Sequence, residues 1–206
     1  MIINDSLIKT KARKQLLNVY GQLDGNLGVV QMNREHRFNT LSPNLIENIS
    51  RGVETMDNDH IATTIYLGSA ESEHFSNGTD FRTIAHMKKE DNFGRIQEYL
   101  QQLYKLQTKI ASVNKPLIAL ANGHALNSGA ALLAAAGHPL TTLDTKIAFN
   151  EVTFGFVPHS GATFYLSRMP GEFGTFMALT GLPIHGTDAA RISLTKGIVH
   201  DPVEYS

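Results

Sequence analysis

The stretch from Lys115 to Leu132, KPLIALANGHALNSGAAL, has a residue pattern that could support chemistry. It predicts a short apolar strand opened by a proline, then a turn of small residues, then an alanine-rich helix. A turn of this kind lets backbone N–H groups approach a ligand and face a negative charge that develops on it. Asn127, Ser128 and Gly129 form the turn, which is therefore the first candidate for a binding or catalytic site.

Other side chains that commonly bind metals or attack substrates are absent or poorly spaced. The sequence has no cysteine, which excludes disulfides, thiolate nucleophiles and Cys-ligated zinc. The spacing of His74, His86, His124 and His138 gives neither an i,i+4 pair nor an HExxH motif. We therefore expect no metal site.

The overall composition is that of an ordinary globular protein. The chain has 206 residues, of which 42% are hydrophobic and 18% charged, enough for one domain with a substantial core. A net charge of −1 gives no electrostatic signature of binding to nucleic acid or to an anionic membrane. No apolar run approaches the roughly 18–20 residues of a membrane span.

The first residues differ in charge from the rest. We divide the chain into a basic N-terminal arm, residues 1–22, and a core domain, residues 23–206. Within the arm, Lys9, Lys11 and Arg13 are among the four cations that face a single acidic residue. Such an arm is weakly similar to an amphipathic organelle presequence and is equally compatible with a solvated basic helix.

Strand-like and helix-like segments alternate along the core. Three apolar segments predict strands, at Leu27–Met32, Ile61–Leu67 and Ile147–Phe149. A helix begins at Ser42-Pro43, because serine is a good N-cap and proline suits the first turn. Further helices are predicted at Asn92–Val113, Gly129–Ala136, Gly161–Met169, Thr175–Thr180 and Asp188–Lys196, the last with Gly197 as its C-cap. The alternation indicates an α/β domain with largely parallel strands.

The same segments carry motifs that resemble those of the crotonase (enoyl-CoA hydratase/isomerase) family. The Lys115–Leu132 stretch is similar to KP-x-IA-x-x-x-G-x-A-x-GGG-x-x-L, except that Asn127-Ser128-Gly129 stands where the family has three glycines. Four more motifs follow the family's order: MNR with FNTL from Met32, FSNGTD from Phe75, FNEVTFGFVPHSG from Phe149, and ALTG from Ala178. The similarity runs from about Leu23 to His200. It implies a single-domain spiral of repeated ββα turns and points to the 3-hydroxyisobutyryl-CoA hydrolase branch.

The resemblance also implies an oxyanion hole for a CoA thioester, formed by the backbone N–H groups of Thr79 and Ser128. Family positions that hold glycine or alanine carry Thr79, Asn127 and Ser128 here, so each adds bulk where a thioester should lie. If Asn127 must adopt a positive φ, asparagine is among the better non-glycine choices, whereas a β-branched Thr79 would suit such a backbone poorly. One oxyanion-hole donor can be worth about 3–4 kcal/mol. We therefore expect an impaired hole.

Glu151 matches the family's acid/base glutamate. The second carboxylate is missing, because Ala131 stands where hydratases have a glutamate and His159 where the hydrolase branch has an aspartate. Histidine could act as an acid or base near neutral pH, or His159 could be a turn residue without a catalytic role. We expect Asp80 to tie down its own loop, and Lys115 to meet a CoA phosphate or to be a solvated lysine at a strand edge.

Two functions are compatible with these features. The first is a catalytically degenerate structural subunit of a larger, mitochondrial assembly, since hydrolase-like members of the family occur in mitochondrial ribosomes. The second is an active acyl-CoA thioester hydrolase that uses Glu151 with His159, has acyl-CoA as its substrate and needs no cofactor. The altered turn, Ala131 and His159 favour the first.

The end of the chain bears on partners. The family core is followed by a further helical segment, whereas this chain stops at Ser206, so we expect another protein to pack against residues 170–206. The residues expected to supply that surface, in part, are Phe173, Phe176, Met177, Leu179, Ile192 and Leu194.

Overall fold

The computed structural model describes residues 14–16, 19–70 and 73–200. Its strands are β1 (Lys14–Leu16), β2 (Val19–Asp24), β3 (Leu27–Met32), β4 (Thr64–Ser69), β5 (His74–Ser76), β6 (Leu117–Ala121), β7 (His124–Leu126), β8 (His138–Thr142), β9 (Lys146–Ala148), β10 (Ile184–His185) and β11 (Gly197–Val199). Its helices are α1 (Pro43–Asn58), α2 (Phe81–Lys89), α3 (Phe93–Ala111), α4 (Ser128–Ala135), α5 (Ala162–Leu166), α6 (Phe173–Thr180) and α7 (Gly186–Arg191).

The strands form two sheets. The larger has seven strands in the order β1-β2-β3-β4-β6-β8-β11, antiparallel from β1 to β3 and parallel from β3 onwards. The smaller has the order β10-β9-β7-β5. Successive strand pairs, β4 with β5, β6 with β7 and β8 with β9, each place one strand in the larger sheet and one in the smaller. The predicted α/β class and the spiral of ββα turns are therefore confirmed.

Helices α1 and α4 pack against the sheets, and α3 packs on both of these helices. Helix α1 begins as predicted: Pro43 is its first residue and the Ser42 hydroxyl accepts a hydrogen bond from the Leu45 N–H at 3.3 Å. Asn92 caps α3 in the same way, through the Arg95 N–H at 3.2 Å. The apolar stripes of both helices are buried in one continuous core, so most of their stability comes from that packing.

Several boundaries differ from prediction. Gly197 does not cap a helix, because α7 ends at Arg191 and Gly197 begins β11, pairing with Leu140 of β8. The predicted strand before the turn is followed by an additional short strand, β7, before α4 begins at Ser128. Strand β2 begins at Val19, inside the range assigned to the basic arm. Of the four cations on which the presequence prediction rests, Lys9, Lys11 and Arg13 lie outside the described residues, and Lys14 begins strand β1.

Lys115 has a role that neither of its predicted roles anticipated. Its Nζ donates hydrogen bonds to the carbonyl oxygens of Met56 and Asp59, both at 2.6 Å, where α1 ends. The lysine thus gives these two carbonyls a charged hydrogen-bond donor at the C-terminus of the helix. It joins the end of α1 to the start of β6.

No helix in the described part of the chain is both long and apolar enough to cross a membrane.

Candidate functional site

The site is built around the turn that joins β7 to α4. Asn127 holds this turn with φ 51° and ψ −126°, a backbone conformation normally taken by glycine. The condition stated for Asn127, a positive φ, is therefore met, at a cost of about 1–3 kcal/mol. The Asn127 N–H donates to the Ala148 carbonyl at 2.8 Å, which ties the strained residue to β9.

A second loop, after β5, lies directly against this turn. Gly78, at φ +73°, lies so close that an added Cβ would be 2.8 Å from the Ser128 nitrogen and would collide with the Leu126 carbonyl oxygen. The positive φ in this loop thus falls on Gly78 and not on Thr79. The concern about a β-branched residue at position 79 was wrong for that reason. The glycine lets two backbones touch, and this contact brings Thr79 next to Ser128.

Two backbone donors are available at this contact. Among the hydrogen bonds of the described residues, neither the Thr79 N–H nor the Ser128 N–H is a donor. Ser128 is the first residue of α4, so its N–H has no partner within the helix. Both groups therefore remain free to donate to a ligand oxygen.

The added side chains at the turn form a hydroxyl cluster, defined here as Thr79, Ser128 and Ser160. The Thr79 and Ser128 hydroxyl oxygens are 2.6 Å apart, and those of Ser128 and Ser160 are 2.9 Å apart. All three residues are buried. Ser160 also has a positive φ, 53°. The expected crowding is present, and it takes the form of a hydrogen-bonded cluster.

His159 connects the hydroxyl cluster to Glu151. The His159 Nε2 lies 2.8 Å from Thr79 Oγ1 and 3.3 Å from Ser128 Oγ. On the other side of the ring, Nδ1 lies 3.5 Å from Glu151 Oε1. His159 is only 9% exposed, so its ring is enclosed by the protein.

Glu151 has an unusual environment for a carboxylate. It is fully buried, and within the described residues neither of its oxygens has a hydrogen-bond partner. An ionised carboxylate is costly in such a place unless a cation or a proton neutralises it. The His159 imidazole is the nearby group that can carry such a proton. Ala131, where a second carboxylate was sought, is fully buried in the core.

An aromatic border lies beside His159, made of Phe81, Phe154 and Phe156. The Phe81 ring stacks on Phe154 at 4.5 Å and contacts Phe156 at 5.1 Å between centroids. Phe156 lies 6.5 Å from the His159 ring. Phe154 and Phe156 remain exposed, so an apolar surface leads from solvent towards the buried imidazole.

Other predicted residues have structural roles. Asp80 caps α2 by accepting the Thr83 N–H at 3.2 Å and pairs with Arg34 at 3.3 Å, which confirms that it ties down its loop. Lys115 has its role at the end of α1 and is not part of this site. In the described part of the chain no three His, Asp or Glu side chains converge as a metal site would require.

Sequence reasoning missed Ser160, Phe81 and the hydrogen bonding of the Thr79 and Ser128 side chains. The prediction treats these two side chains as added bulk and their backbone N–H groups as donors, and it assigns the hydroxyls no hydrogen bonds. The sequence shows a hydroxyl at each of these two positions, but not that the two hydroxyls are in contact.

The sequence that forms this site is similar to those of several known proteins. A profile described as enoyl-CoA hydratase/isomerase matches residues 27–203. The mitochondrial 3-hydroxyisobutyryl-CoA hydrolase of Danio rerio is 29% identical over 96% of this chain and 50% of its own length. The small ribosomal subunit protein mS47 of Schizosaccharomyces pombe is 27% identical over 83% of this chain and 40% of its own length. The chain thus spans half or less of these relatives.

Solved structures agree on the fold. A carnitinyl-CoA dehydratase from Mycobacterium thermoresistibile superimposes with a TM-score of 0.86 at 27% identity, covering 92% of this chain and 56% of its own. An enoyl-CoA hydratase from Rhodobacter sphaeroides superimposes with a TM-score of 0.84 at 22% identity, covering 89% of this chain and 54% of its own.

Proposed function

Because the chain belongs to the enoyl-CoA hydratase/isomerase family, we propose that it is a crotonase-fold subunit of a larger mitochondrial assembly. In this role it does not turn over CoA thioesters. The observation that carries the proposal is the hydroxyl cluster, whose side chains fill the contact between the two loops. With these side chains in place, a thioester carbonyl can reach the two free N–H groups only if the surrounding residues move, which would prevent rapid turnover.

Two groups of relatives support this proposal. One group is named for mitochondrial 3-hydroxyisobutyryl-CoA hydrolase and another for small ribosomal subunit protein mS47. A scaffold of this kind therefore occurs both in an enzyme and in a ribosomal protein. The second group makes the small ribosomal subunit the first assembly to test.

Helix α6 offers a surface for a partner. Phe173, Phe176 and Leu179 recur at three-residue intervals and are exposed, while Met177 is buried in the core. This spacing places them along one side of the helix, the α6 apolar face. Ile192 and Leu194, also expected to contribute, are buried. Adjacent exposed aromatic and aliphatic side chains are typical of a protein interface.

Sedimentation of mitochondrial extracts tests the assembly. The tagged protein should move with a large complex, and Phe176→Ser combined with Leu179→Ser should shift it to the slowly sedimenting fractions. Phe93→Ser, an exposed aromatic at the start of α3, is the matched control and should leave sedimentation unchanged. Sedimentation of the unaltered protein as a monomer or small homo-oligomer would contradict the proposal.

Enzyme assays test the absence of turnover. Purified protein should hydrolyse no 3-hydroxyisobutyryl-CoA and hydrate no crotonyl-CoA above the rate without protein. Turnover that disappears in Glu151→Gln would overturn the non-catalytic part of the proposal.

The second candidate is an acyl-CoA thioester hydrolase. The retained Glu151, its 3.5 Å approach to His159 and the two free N–H groups favour it. In that case His159 would take the place of the missing carboxylate as the acid or base. The same assay decides between the two, because only the hydrolase releases free CoA repeatedly.

A further inference from the structure

We propose that Thr79 is a nucleophile that accepts an acyl group, activated by His159 and Glu151. This goes beyond the assembly role and holds whether or not the chain has partners. The arrangement is a hydroxyl, an imidazole and a carboxylate in line, which is the pattern by which nucleophilic triads are recognised on unrelated folds.

The distances support this order of groups. Thr79 Oγ1 lies 2.8 Å from His159 Nε2, within hydrogen-bond reach of a general base. The opposite ring nitrogen faces Glu151 Oε1 at 3.5 Å. That contact is longer than a hydrogen bond, as is common before a substrate is bound. The buried carboxylate, unpaired otherwise among the described residues, is placed to stabilise an imidazolium ion.

Thr79, and not Ser128, is the nucleophile because it is closer to the base. Ser128 Oγ lies 3.3 Å from the same nitrogen, while it approaches Thr79 Oγ1 to 2.6 Å and Ser160 Oγ to 2.9 Å. Ser128 is therefore a positioning residue that holds the Thr79 hydroxyl towards the imidazole.

An oxyanion site adjoins the nucleophile. The Thr79 backbone N–H and the Ser128 backbone N–H are both free of other hydrogen bonds in the described residues. A nucleophile's own N–H, together with a second one, is the oxyanion hole found in serine hydrolases. Two such donors can stabilise the tetrahedral intermediate of acyl transfer.

The chemical step needs no cofactor. Thr79 Oγ1 attacks the carbonyl carbon of an ester or thioester, and its proton passes to His159 Nε2. The bond to the leaving oxygen or sulfur then breaks, and the leaving group takes that proton from Nε2. The products are an ester on Thr79 and a free alcohol or thiol.

The surroundings indicate an apolar acyl group. The aromatic border lies between solvent and His159, so an aliphatic or aromatic acyl chain would contact Phe156 and Phe81. Thr79 itself is 2% exposed. Acylation therefore requires residues around Thr79 to move, and we expect it to be slow and to stop at one acyl group per chain.

The test uses p-nitrophenyl butyrate and butyryl-CoA as acyl donors, with intact mass and peptide mapping as the readout. We expect one butyryl group on the peptide that contains Thr79. Thr79→Ser should retain labelling and Thr79→Val should abolish it. His159→Gln should slow it at least about tenfold, since general bases contribute about 10²–10⁴-fold. Ser167→Ala, at an exposed serine of another turn, should label like the unaltered protein.

Two further variants separate activation from folding. Glu151 acts through His159, so Glu151→Gln should slow labelling, whereas Glu151→Asp, which keeps the carboxylate, should retain more of the rate. Circular dichroism confirms that each variant is folded. Labelling of Ser128 or of a lysine, equal labelling of Thr79→Val, or no adduct from either donor would overturn the proposal. A single adduct without turnover leaves the assembly proposal intact.

Discussion

At the scale of single residues, the backbone of Asn127 is the strained point of the turn. Asn127→Ala removes one of the non-glycine residue types that best tolerate a positive φ and should lower the free energy of unfolding by about 1–2 kcal/mol. Asn127→Gly should stay within about 1 kcal/mol of the unaltered protein, because relief of strain offsets the greater entropy of the unfolded chain. Urea denaturation measures both. Equal losses in the two variants would show that side-chain contacts, and not φ, dominate at this position.

The sequence predicted which residues belong to the site better than it predicted which of them are in contact. Glu151 and His159 could be singled out through motifs, and the positive φ of Asn127 through the glycines it replaces. The hydroxyl cluster could not be predicted, since Thr79 and Ser128 are 49 residues apart and Ser128 and His159 are 31 apart. Their contact depends on Gly78, whose effect is visible only once two backbones are placed together.

At the scale of elements, Lys115 joins α1 to β6. Lys115→Met keeps the aliphatic stem but removes two charged hydrogen bonds to helix carbonyls, and should destabilise the protein by about 1–2 kcal/mol. The matched control is Lys105→Met, at an exposed lysine on α3, which should change the free energy of unfolding by less than about 0.5 kcal/mol. If the two variants unfold alike, the lysine does not stabilise the junction.

Glu54 and Lys109 link α1 to α3 and should give this contact a pH dependence. A hydrogen bond from Lys109 at 2.6 Å, together with its charge, lowers the pKa of Glu54 below its ordinary value of 4.5. A lowered pKa in the folded state means that the contribution is present above pH 4.5 and is lost as the pH falls through the lowered pKa. Glu54→Gln should remove that part of the acid-induced loss of stability.

Thermal denaturation between about pH 6 and pH 3 measures this effect, with Lys109→Met as the background for comparison. Adding Glu54→Gln to Lys109→Met should change the pH profile little, because the partner is already gone. If Glu54→Gln changed the pH profile of the Lys109→Met protein as much as that of the unaltered protein, the pH dependence would come from other groups.

Helices and strands could be predicted where the sequence has a capping residue or a long periodic pattern of apolar residues. Ser42-Pro43 and Asn92 located the starts of α1 and α3, and the β-branched segment Leu27–Met32 located β3 with its observed bounds. Strands β5, β7 and β10 have only two or three residues, too few to show a period, and were not predicted. Strands β2 and β8 are longer but were also not predicted, because polar residues interrupt their apolar pattern. Gly197 was misassigned because a glycine after a helical pattern also suits the start of an edge strand.

At the scale of the whole molecule, we expect the α6 apolar face to govern association. Exposed apolar side chains promote association when their partner is absent, so Phe176→Ser with Leu179→Ser should reduce concentration-dependent light scattering by the isolated protein. The melting temperature should change little, because both side chains are substantially exposed. A large fall in melting temperature would mean that these residues belong to the core.

The order of strands in the larger sheet has a consequence for how the chain acquires its structure. After β3, each new strand adds to the edge left by the strand before it, so the sheet grows in the direction in which a ribosome delivers residues. A nascent chain could therefore dock each turn as it emerges, onto a template already formed. The reverse order should hold for opening: amide protons of β11, which pairs only with β8, should exchange with deuterium sooner than those of β4 and β6, each paired on both sides.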